Sequence, residues 1–117
     1  MENKSGLAAF KESMKGNEPS SHLSPHAKAL WYAGKGNWDK AHEIVQDMPD
    51  RAASSIHAFL HRQEGDISNA QYWYDKAGSH MPKSGLDDEW ELLVGLVLGE
   101  WIQFIFKNLK INLLLEY

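Results

Sequence analysis

His57 and His61 stand four residues apart, and Glu64 follows three residues later. On a helix this spacing puts all three on one side, because residues three and four apart lie one above the other. Two imidazoles so placed can ligate one divalent metal ion, with the carboxylate as a third ligand. The pattern falls short of the metalloprotease motif, which needs a glutamate directly after the first histidine, where this chain has Ala58. The plainer reading is two histidines packed at a helix interface and hydrogen-bonded to a tyrosine or an aspartate. Spacing alone does not place His42 with respect to them. Other candidates are thinner. Arg62, Glu64 and Asp66 surround Gly65, as an ion-pair cluster or as a solvated turn. His22, His26 and His80 fall in or near loops. No serine lies in a Gly-x-Ser-x-Gly context, and Gly34-Lys35-Gly36 lacks the spacing and the preceding strand of a phosphate loop. The five tryptophans read as core packing; the sharper alternative is a ligand pocket walled by Trp31, Trp73 or Tyr72.

The elements that must position these residues are helices. Ser24-Pro25 marks a start, since serine caps well and proline suits the first helical position, where its missing N–H has no partner to lose. This helix is expected over residues 25–33 and stops in Gly34-Lys35-Gly36. Asn37 caps the next, with Asp39 in its first turn and Trp38, Ala41, Ile44, Val45 and Met48 on one face. Pro49 ends it. Asp50 caps a third helix running to about residue 64, and Gly65 breaks it. Asp66 caps a fourth, carrying Ile67, Ala70, Trp73, Tyr74 and Ala77, with Gly78 placed to stop it in a left-handed turn. Residues 79–85 read as a linker, and Asp87, Asp88 and Glu89 form the acidic first turn of a fifth helix. Residues 1–22 are polar and read as a loosely held arm with at most a short helix over 7–14.

The openings of the second and fourth helices repeat. Gly36-Asn37-Trp38-Asp39-Lys40-Ala41 and Gly65-Asp66-Ile67-Ser68-Asn69-Ala70 match in glycine, capping residue, apolar residue and alanine, 29 residues apart. The same offset pairs His61 with Tyr32 and His57 with Lys28. A constant interval of this kind predicts stacked helical hairpins. These residues, together with Asn69 to Ala77, resemble the tetratricopeptide and Sel1-like repeat families over residues 24–78, and the stretch from His57 to Gly78 also resembles small bacterial proteins without an assigned activity. The resemblance implies an all-α fold of stacked hairpins, with Ala29, Ala41, Ala58 and Ala70 at close helix contacts. It also implies a protein or peptide partner bound on the surface of the first helices, here His26, Leu30, Ser55, Phe59 and Arg62. The repeats are shorter than the usual ~34 residues.

From Trp90 to Phe106 the chain is apolar except for Glu91, Gly95, Gly99, Glu100 and Gln103. A helix apolar nearly all round must be covered on several sides. Trp90, Leu93, Val94, Val97 and Trp101 make one stripe, and Leu92, Leu96 and Phe106 lie on another side. Burial against the repeats and a second copy is the expectation, with Trp90, Leu93, Val97 and Trp101 as the homo-oligomer interface. A membrane span needs about 20 largely uncharged apolar residues, and Glu100 interrupts this run.

The chain's 117 residues make one domain, expected over 23–117, with 85–117 as a C-terminal helical segment. Without cysteine it has no disulfide, thiolate chemistry or cysteine-ligated metal. With net charge −4 and no block of Lys and Arg, it lacks the footprint of a nucleic-acid binder. Leu7-Ala8-Ala9-Phe10 is too short for a signal-peptide core, so a cytoplasmic home is expected. Two functions follow: a non-catalytic protein-interaction module without cofactor, or a metal- or small-ligand-binding protein, conceivably an enzyme, centred on His57 and His61 with a divalent ion.

Overall fold

The structure, a computed structural model, describes residues 6–99. Within them every regular element is a helix: α1 (Gly6–Ser13), α2 (Pro25–Gly34), α3 (Trp38–Val45), α4 (Arg51–Gln63), α5 (Ile67–Ala77) and α6 (Leu86–Val97). No helix among the described residues is long and apolar enough to cross a membrane.

The caps explain the boundaries. The side chains of Ser24, Asn37, Asp50 and Asp66 accept the backbone N–H groups of Ala27, Lys40, Ala53 and Asn69, so one orphan donor per helix is satisfied. α6 opens at Gly85 with no side-chain cap and relies on Asp87, Asp88 and Glu89 against the positive end of its dipole. Gly78 stops α5 at φ +72°.

The α2–α3 and α4–α5 turns share one geometry. Gly36 and Gly65 have φ +81° and +87°, which a residue with a Cβ adopts only with strain. The N–H of Asn37 donates to the Tyr32 carbonyl at 2.8 Å, and that of Asp66 donates to the His61 carbonyl at 2.9 Å. Tyr32 and His61 therefore hold the same place in two like turns.

α2 packs on α3, α4 on α5, and α3 on α4. Ala29, Ala41, Ala58 and Ala70 are all fully buried. A larger core joins Leu30, Trp31, Val45, Ile56, Phe59, Leu60, Leu93 and Val94, and a smaller one joins Ala58, Ala70 and Tyr74.

Three expectations meet a different arrangement. The N-terminal segment is not a loose arm over its described part: α1 packs on α6, Phe10 is buried, and Ser13 Oγ accepts the Trp31 indole N–H at 3.1 Å. Lys35 holds the end of α1 by donating to the carbonyls of Met14 and Gly16. Of the residues expected to face a partner, Leu30 and Phe59 are buried, because α6 lies across α2 and α4 and Trp90 donates its indole N–H to the Leu30 carbonyl at 2.8 Å. His26 pairs with Asp50 at 2.7 Å, Ser55 is half-buried, and Arg62 reaches α6. The expected oligomer stripe also faces this chain's own core: Leu93 is buried, and Trp90 and Val97 pack against it. Trp101 lies outside the described residues, as do Phe106 and the rest of the expected segment beyond residue 99. The side of α6 left in the open carries Leu92 and Leu96.

Candidate metal centre

Three imidazoles meet between α3 and α4. His57 and His61 lie one turn apart on α4, both buried, with ring centroids 4.8 Å apart. His42 reaches them from α3, half-buried, with centroids 4.6 Å from His57 and 5.3 Å from His61. The Nε2 atoms of His42 and His57 are 2.9 Å apart, so one ring donates to the other. One nitrogen from each of the three rings lies within 4.8 Å of the others. Ligands about 3.3–3.4 Å apart suit a tetrahedral ion with bonds of about 2.0–2.1 Å. The His42–His57 pair is closer than this, at 2.9 Å, so the rings must turn to hold one ion.

The neighbours fix these rings. His42 stacks on Trp38, one turn earlier on α3, with centroids 4.7 Å apart and planes within 10°. Trp38 is held in turn by donating its indole N–H to the Leu60 carbonyl at 2.6 Å. His57 stacks on Trp73 of α5 at 3.9 Å. Glu64 stands behind His61, its Oε2 accepting from Nδ1 at 2.7 Å. A carboxylate only accepts, so Nδ1 carries the hydrogen of this bond and Nε2 is the other ring nitrogen of His61. A carboxylate on the back of an imidazole is the usual outer partner of a metal-binding histidine, because it sets the tautomer and raises ligand basicity.

Electrostatics favour the neutral forms of His42 and His57. Burial lowers the pKa of His57 to about 4, helped by the repulsion a proton there meets from His42 and His61. His42 is lowered too, by burial and by His61, against the opposing pull of Glu64 and Asp39. Near neutral pH both rings are therefore bases with lone pairs available, the form a metal requires. Imidazole nitrogens without thiolate suit zinc, cobalt, nickel or copper ions, whereas calcium and magnesium want oxygen ligands.

Sequence spacing finds His57 and His61, which the fold brings together. It places Glu64 as a ligand beside them, whereas the carboxylate occupies the opposite nitrogen of His61. It leaves His42 unplaced. The available signal was Trp38 and His42 at i, i+4, which aligns an aromatic with an imidazole on one face of α3. A second grouping of His61, Glu64 and Asp66 lies at the turn, where Asp66 already caps α5. A cleft of about 460 Å3 lies away from the rings, where Met14, Phe59 and Trp90 meet Lys11 and Glu91.

No protein-family model matches the chain, and neither a curated protein nor a solved structure matches it significantly.

Proposed function

We propose that this chain is a metal-binding helical module, without catalysis, in which His42, His57 and His61 hold one zinc-like divalent ion. α2–α3 and α4–α5 act in it as two tetratricopeptide-like hairpins. The observation that carries the reading is the packing of three imidazoles against one another, His57 and His61 buried and His42 half-buried, two with Nε2 atoms 2.9 Å apart and the third backed by Glu64. Packing three like bases together yields a single hydrogen bond among them, between His42 and His57. A cation satisfies all three at once. Titration of the apo chain with zinc by calorimetry tests this. One ion per chain is expected, with binding lost in His57→Ala; a chain that takes up no zinc contradicts the reading.

A second reading, a protein-interaction module, is favoured by Leu92 and Leu96, exposed one turn apart on α6. They supply an apolar strip for a partner or a second copy, in place of the surface that α6 covers. A solution mass of twice the chain, returning to the monomer in Leu96→Lys, is its expected signature; a monomeric wild type removes the homodimer.

A further inference from the structure

The three imidazoles come from two different helix pairs. His42 belongs to α3, which packs on α2; His57 and His61 belong to α4, which packs on α5. The α3–α4 seam is the thinner contact. α3 has only eight residues and buries just Ala41 and Val45. Across the seam, Trp38 donates to the Leu60 carbonyl and His42 shares one hydrogen bond with His57. α4 and the residue after it offer a set of their own in His57, His61 and Glu64, but Glu64 is already bonded to Nδ1 of His61 at 2.7 Å. The three imidazole nitrogens that lie within 4.8 Å of one another include that of His42, so an ion held by all three must touch both sides of the seam. Stacking on Trp38 and on Trp73 limits how far the His42 and His57 rings can turn away.

We infer that the bound ion is a staple that ties the α2–α3 pair to the α4–α5 pair through His42. The inference rests on the metal-binding reading above and adds what the ion does there. It replaces the His42–His57 hydrogen bond by coordination from both helices and leaves the Trp38–Leu60 bond in place, so the two pairs open together rather than separately. Local opening of α3 is the motion it suppresses, because short helices with little buried apolar surface open at low free-energy cost.

Amide hydrogen exchange of the full chain, with and without one equivalent of zinc, tests the staple, and calorimetry on the same samples reports binding independently. In the wild type, zinc is expected to slow exchange over residues 38–46 by about tenfold or more. In His42→Gln this slowing is expected to vanish and zinc affinity to fall by about tenfold or more. His42→Phe keeps a flat ring on Trp38 without a nitrogen and gives the same test should the glutamine variant not fold. Stoichiometric zinc binding with unchanged exchange over 38–46 overturns the staple while leaving metal binding intact. So does a His42→Gln variant that binds zinc as tightly as the wild type, since α4 then holds the ion alone. Absence of zinc binding to the wild type overturns the metal-binding reading itself.

Discussion

Two buried polar clusters lie one turn apart on α4 and are built on opposite rules. At Arg62 the partners are unlike. Its guanidinium donates to Glu89 Oε1 at 2.7 Å and to the Ser84 carbonyl at 2.6 Å, while the Tyr74 hydroxyl donates to Glu89 Oε2 at 2.6 Å. Each carboxylate oxygen of Glu89 has a donor, and the charge is matched. Burial, with the carboxylate beside it, pushes the Tyr74 hydroxyl above its ordinary pKa and keeps it a donor. At His42, His57 and His61 the partners are alike: three imidazoles against one another, with one carboxylate, Glu64, on the edge at His61. The first cluster is complete as it stands and latches α6 to α4 and α5. The second gathers three nitrogens of the kind a metal ion takes.

The comparison breaks first at Arg62. Arg62→Ala leaves the Glu89 carboxylate buried without its cation, and a loss of about 3–5 kcal/mol is expected in urea unfolding. A loss below about 1 kcal/mol would mean that this cluster is not the closed structural unit described.

The histidine cluster should show itself next, through acid. His57 has a folded pKa of about 4 against an ordinary value of 6.5. The unfolded chain therefore binds a proton at that residue before the folded one does. The stability it contributes is complete above pH 6.5 and drains away as pH falls towards 4, by roughly 3 kcal/mol. His42, lowered as well, adds in the same direction. Urea midpoints of the metal-free chain at several pH values between 7.5 and 4 measure this. A flat profile in that window would place His57 in water.

Tyr74→Phe probes the closed cluster more gently. It removes one of two donors to Glu89, and the expected cost is about 1–3 kcal/mol with α6 still in place. The smallest effect belongs to Glu64. It is 38% exposed at the side chain, so Glu64→Gln should move the stability of the metal-free chain by less than about 1 kcal/mol. Zinc affinity should nonetheless fall about tenfold, because His61 loses its carboxylate orienter. Calorimetry that finds unchanged affinity would assign Glu64 to the surface alone.

Much of the scaffold was legible in the residues. Ser24, Asn37, Asp50 and Asp66 act as the caps their types announce, and Gly36, Gly65 and Gly78 take the positive φ that glycine permits. These are local effects of a few neighbouring atoms, which a linear sequence records. The pair His57–His61 was legible for the same reason, since helical spacing is local. His42 was not, because its distance from α4 is set by how α3 packs, and no short-range rule encodes that. The docking of α1 was missed for a similar cause. Its eight residues bury little besides Phe10 and signal no cap, and its place depends on Trp31 and α6. Leu30 and Phe59 were assigned to a partner surface that α6 covers, and the apolar stripe on Trp90, Leu93 and Val97 is the side that covers it.

X-ray absorption at the zinc edge on the wild-type chain loaded with one equivalent tests the central claim most directly. Three imidazole scatterers at about 2.0–2.1 Å are expected, dropping to two in His42→Gln. A zinc shell made only of oxygen atoms, or one unchanged by loss of His42, would contradict it.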